Sequence, residues 1–158
     1  MPTLDEVFTA FPDRLFNIEI KQAEPSIADP FCQKIREHGL VDQVLVASFS
    51  QEALDEFRVI CPEVATSTGE MDGIKLLVLS KLLLEAVHSP RAQAVQAPEE
   101  RFGLRVLTPR TVSASHNRGM EIHAWTIDET DDMRRLLDMG LDGLITDRPD
   151  RMMALLDR

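Results

Sequence analysis

Cysteine is scarce in this chain: Cys32 and Cys61 are the only two in 158 residues. They lack the paired spacing of a zinc site, and two cysteines in a chain of this size do not define a disulfide, so reduced, buried thiols are the expectation. Basic residues are few, 17 against 27 acidic ones, for a formal net charge of −10. No basic cluster offsets that charge, which excludes nucleic acid as the expected partner. Long apolar runs are missing too. The richest, Ile74 to Val87, carries Lys75, Lys81 and Glu85, is too short to cross a bilayer and reads as a buried helix. The opening residues Pro2-Thr3-Leu4-Asp5-Glu6 lack the basic-then-apolar order of a signal peptide, which places the chain in the cytoplasm provided that Met1 is the natural start. Glycine is absent from Glu19-Ile20-Lys21-Gln22-Ala23, where a dinucleotide-binding turn after a first strand would need it.

What is present is an ordinary globular composition, 44% apolar, in a chain the size of one domain. Thr3 and Glu6 have capping-box spacing, and Leu4, Val7, Phe8 and Phe11 recur at helical intervals until Pro12, which predicts a helix over 3–11. Leu15 to Lys21 reads as a strand, then Asp29-Pro30 opens a helix that Gly39 ends. Val44 to Ala47 is a continuous apolar strand, Ser50 caps a helix that runs to Pro62, and Val64 to Ser67 is a further strand. Gly69 to Gly73 reads as a loop before a helix over 74–87, and Ala94 to Ala97 as a short strand closed by Pro98. Thr108-Pro109 opens a helix ended by Gly119; Met120 to Ile127 is a strand; Met133, Leu136 and Leu137 mark a helix stopped by Gly140; Gly143 to Thr146 is the last strand, before a short final helix.

Six strands, each followed by a helix and with no hairpin signal between them, imply a parallel sheet covered by helices. A doubly wound sheet and a (β/α) barrel lacking two of its eight units both fit this alternation. On the strand Leu15 to Lys21 the period of two sends Asn17, Glu19 and Lys21 to one face and Phe16, Ile18 and Ile20 to the other. A carboxylate and an ammonium two residues apart can hold a divalent cation beside a phosphate, although a solvated charged face is the commoner explanation.

The segment Phe16-Asn17-Ile18-Glu19-Ile20-Lys21 resembles the third-strand motif of the glycerophosphodiester phosphodiesterase family. His123-Ala124-Trp125-Thr126-Ile127-Asp128 and the segment from Met133 to Asp150 resemble its seventh and eighth strands, with their Trp-Thr and Thr-Asp-x-Pro signatures. Between them, Ala47-Ser48-Phe49 resembles the end of the fourth strand and Gln96-Ala97-Pro98 a variant of the sixth. The resemblance implies an α/β fold of the TIM-barrel phosphodiesterase kind, with residues 1–158 forming a partial barrel of strands three to eight. It further implies metal-dependent hydrolysis of glycerophosphodiesters to glycerol 3-phosphate and an alcohol, within lipid metabolism.

Carried over residue by residue, the resemblance makes Glu19 a metal ligand, Lys21 a contact to the substrate phosphate and Trp125 a platform for the head group. The implied cofactor is a divalent cation, Ca²⁺ or Mg²⁺. The family's His-Arg-Gly motif and second catalytic histidine have no counterpart here, so no catalytic residue is assigned: His38 and His88 fall at helix ends, His116 within a helix, and His123 on a strand is expected to be packed or hydrogen-bonded. Asp147 and Asp150 are expected to cap the last helix, Glu129, Asp131 and Asp132 to complement a helix dipole, and Ser48 is not read as a nucleophile. The expected partner is a small glycerophosphodiester, with self-association through open sheet edges. The alternative is a non-catalytic remnant that binds a phosphorylated ligand or a protein.

Overall fold

The computed structural model describes residues 1–81, 91–101 and 103–156. The chain divides into two compact units, Met1–Met71 and Asp72–Arg158. No helix among the described residues is long and apolar enough to cross a membrane.

The first unit opens with α1 (Leu4–Ala10), whose capping box forms as the spacing predicts. The Thr3 hydroxyl accepts from Glu6 N, and the Glu6 carboxylate accepts from Thr3 N at 2.7 Å. β1 (Phe16–Glu19) follows, then α2 (Ala28–Glu37), a single 3₁₀ turn, β2 (Val44–Ala47), α3 (Gln51–Ile60) and β3 (Ala65–Thr66). The three strands form one parallel sheet in the order β1-β2-β3, with Phe16 opposite Val44 and Glu19 opposite Ala47. Phe16, Ile18, Ile20, Val44 and Val46 face α2 and α3 and join Phe31, Ile35, Leu54 and Phe57 in one core. Asn17 and Glu19 therefore belong to the opposite face, as the alternation predicts.

The second unit contains β4 (Ala94–Pro98), β5 (Glu100–Arg101), β6 (Leu104–Arg105), α5 (Pro109–His116), β7 (Glu121–Trp125), α6 (Thr130–Asp138), β8 (Gly143–Leu144) and α7 (Pro149–Leu156). Its parallel sheet runs β4-β7-β8, and Val95, Ala97, Ile122, Ala124 and Leu144 pack with Val112, Met133 and Leu136. Thr108 caps α5 through Thr111 N with Pro109 in the first turn, and Gly119 ends it at φ +68°.

The six predicted strands are thus the six parallel ones. Among the described residues they form two three-stranded sheets and no closed barrel.

Four local expectations are corrected. β5 and β6 pair antiparallel across a turn in which Gly103 takes φ +72°, a hairpin too short and polar to register as alternation. α4 (Glu70–Lys81) begins inside the expected loop and absorbs Gly73; residues 82–87 of the helix predicted over 74–87, with His88, lie outside the described residues. Asp29 sits within the first turn of α2 and does not cap it; Ser26 Oγ accepts from Ala28 N instead. Cys32 and Cys61 are not reduced: packing of α2 beside α3 brings their Cα atoms to 5.9 Å, and they form a disulfide.

Candidate functional site

In parallel α/β sheets, ligands gather at the carboxyl ends of the strands. In the first unit that end carries Glu19, the last residue of β1, and Lys21, just past it. The ladder continues one step beyond the strand, with Ile20 N donating to Ala47 O at 2.8 Å. This step fixes the backbone between the two charged residues. Glu19 Oε2 lies 3.6 Å from Lys21 Nζ, with the lysine side chain 80% exposed and the glutamate 34%. Beside them Ser48 Oγ donates to Ile20 O at 2.7 Å and accepts from Ser50 N, so its hydroxyl secures the strand exit and is committed to that role. Phe49, next in sequence, is 56% exposed.

In the second unit the face turned from the core carries Gln96, His123 and Gly143 in one row across β4, β7 and β8. Gln96 Nε2 donates to His123 Nδ1 at 3.2 Å, which leaves Nε2 carrying the proton that Glu121 accepts at 3.0 Å. His123 is accordingly a hydrogen-bonded strand histidine, as expected. Trp125, two residues on and on the same face, is half-buried at the strand's end.

Beyond Trp125, the Asp128 carboxylate accepts from Thr146 Oγ1 and from Asp147 N, each at 2.9 Å, and ties the exit of β7 to that of β8. This residue escaped the sequence reading, although it lies within the Trp-Thr landmark and its type suits an acceptor at a strand exit.

The other acidic candidates are structural. Asp150 lies in the first turn of α7, where its carboxylate holds the Arg148 guanidinium at 2.9 and 2.6 Å, and that hydrogen bond lowers its pKa. Asp147 enters through its backbone N–H alone. Asp131 and Asp132 sit in the first turn of α6 and pair with Arg134 and Arg135, while Glu129 pairs with Arg151. His38 closes α2 and meets Asp5 at 2.9 Å; His116 closes α5 and meets Asp142 at 2.8 Å. Burial raises the pKa of Asp142, but the His116 hydrogen bond and the Ile122 N–H outweigh it and leave the carboxyl below its ordinary value.

Hard divalent cations take six or more oxygen ligands. Among the described residues, the one set of three His, Cys, Asp or Glu side chains close enough to share an ion is Cys32, Cys61 and Glu63, and its two sulfurs are bonded to each other. Glu19 stands outside any such set. The donors among the described residues therefore do not by themselves fit a Ca²⁺ or Mg²⁺ centre.

The sequence matches the model of the glycerophosphoryl diester phosphodiesterase family over residues 1–151. It is 35% identical to the probable glycerophosphodiester phosphodiesterase 2 of Mycobacterium tuberculosis, across 99% of this chain and 60% of that protein. It is 28% identical to the glycerophosphodiester phosphodiesterase of Caldanaerobacter subterraneus subsp. tengcongensis, across 99% and 62%. Among solved structures, a putative glycerophosphodiester phosphodiesterase from Galdieria sulphuraria superposes with a TM-score of 0.77 at 20% identity, across 99% of this chain and 64% of that one. The chain thus spans about three fifths of the length of these curated relatives.

Proposed function

Because the chain belongs to the glycerophosphoryl diester phosphodiesterase family, we propose that its residues form part of a site for metal-dependent glycerophosphodiester hydrolysis. We further propose that this chain alone binds the phosphorylated product without turning substrate over. The fold this implies is strands three to eight of a (β/α) barrel, residues 1–158 making one partial domain. A divalent cation, when bound, neutralises phosphodiester charge. Within a complete site Glu19 would offer that cation one carboxylate, Lys21 would pair with the phosphate as a point charge, and Trp125 would support the glycerol or head-group end.

The observation that carries this reading is Glu19 beside Lys21 at the carboxyl end of β1, with the lysine largely exposed. The missing general acid–base pair and the unfilled donor set separate binding from turnover.

Trp125 is the single tryptophan of the chain, so the chain's tryptophan fluorescence reports on its surroundings alone. Calorimetric titration of the chain with glycerol 3-phosphate is expected to show saturable binding, and Lys21→Ala to abolish it. An unresponsive wild-type chain overturns the reading.

A second property rests on β1 being an edge strand in the first sheet, preceded by Leu15, 82% exposed, and Phe11, 54% exposed. An apolar strand edge templates pairing, which favours self-association through it.

A further inference from the structure

The exits of β7 and β8 are sewn together more heavily than two adjacent parallel strands require. The ladder itself supplies Ile145 N donating to Ala124 O at 2.8 Å and Ile127 N donating to Ile145 O at 3.0 Å. Beyond it, Arg148 N donates to Thr146 Oγ1, and the same hydroxyl donates to Asp128 Oδ1. Asp147 N donates to that oxygen as well, so one carboxylate atom orders the whole turn from Thr146 to Arg148. The backbone of Asp128 is held in turn: its carbonyl accepts from Arg151 Nη1 at 2.8 Å, and Arg151 is paired with Glu129. Hydrogen bonds to a carboxylate are roughly twice as strong as neutral ones, and relayed bonds reinforce one another.

The consequence falls on Trp125. The segment from Trp125 to Asp128 leaves β7 with its first end fixed by the ladder and its far end fixed by the Asp128 carboxylate. A short segment pinned at both ends has little backbone freedom, and the indole at its start inherits that restriction.

We propose that Asp128 is a positioning residue: by locking the β8 exit onto the β7 exit it sets the orientation of Trp125. This rests on the reading of Trp125 as the head-group platform. It gives the Thr-Asp-x-Pro segment a role in this chain that needs no contact with substrate, through Thr146 Oγ1 and Asp147 N rather than through the Asp147 carboxylate.

The test compares wild type, Asp128→Ala, Asp128→Asn and Thr146→Val by Trp125 emission and acrylamide quenching without ligand, then by titration with glycerol 3-phosphate. Asp128→Ala is expected to move the emission to longer wavelength, to raise quenching and to weaken glycerol 3-phosphate by about tenfold, the scale of one lost aromatic contact. Asp128→Asn keeps an oxygen acceptor for both donors and is expected to restore both readouts. Thr146→Val, which removes one of the two donors to the carboxylate together with the acceptor for Arg148 N, is expected to fall between. Unchanged emission and quenching in a folded Asp128→Ala chain overturn the proposal. If far-ultraviolet circular dichroism shows that chain unfolded, unchanged emission in Thr146→Val overturns it instead. A wild-type chain that ignores glycerol 3-phosphate defeats the functional reading alone, because the ligand-free comparison still decides whether Asp128 sets the indole.

Discussion

Gly143 stays small because of His123: a Cβ added there would sit 2.8 Å from the imidazole Cδ2. Gly143→Ala must therefore push the ring off its hydrogen bonds to Gln96 and Glu121, at an overpacking cost of about 1–3 kcal/mol. A lower denaturant midpoint with an unchanged slope is the expected result, and NMR should show the His123 ring displaced. Asp142 makes a pH prediction. Its carboxyl is held below the ordinary aspartate value of 3.8. The stability it contributes is complete above that value and is lost as the pH falls through the lowered one. Asp142→Asn is therefore expected to melt below wild type at neutral pH, with the gap closing as the pH falls below 3.8. A gap that stays constant would show that the charge is irrelevant. Both pairs were hard to read from sequence, because Gly143 and Asp142 follow a helix stop and resemble ordinary turn residues until the register sets them against His123 and His116.

Three helix starts were legible in the sequence, because their causes are local. Thr3 with Glu6, Ser50 with Ala53 and Thr108 with Thr111 act within three residues of one another, and each cap forms where its spacing places it. Contacts that depend on packing were not legible. Cys32 and Cys61 are 29 residues apart, and only the packing of α2 beside α3 brings them together. Both cysteines are buried, and a cross-link over a loop of that length stabilises by about 3–4 kcal/mol in the chain-entropy account. Replacing both cysteines by serine should thus lower the melting midpoint clearly. Alkylation of the denatured, unreduced chain should label neither cysteine, and labelling of both would refute the bridge. The β5–β6 hairpin escaped for another reason: two-residue strands carry no period, and Gly103 alone is a weak turn signal. Asp128 escaped because its partners lie on the next strand exit.

At the scale of the whole molecule, the alternation of strand and helix correctly gave six parallel strands, and four short segments in order correctly gave the family. The edge of β1 remains the feature that its own sheet does not cover. Light scattering is expected to find species larger than a monomer, and Leu15→Lys, which places a charge at that edge, to shift the population toward monomer. A monodisperse wild-type monomer would contradict this. The central claim is the proposal that this chain alone does not complete a phosphodiesterase site. Its most direct test is the release of glycerol 3-phosphate from glycerophosphocholine by the purified chain with Ca²⁺ or Mg²⁺. No release above the protein-free control is predicted; sustained turnover, lost in Glu19→Gln, would contradict the account.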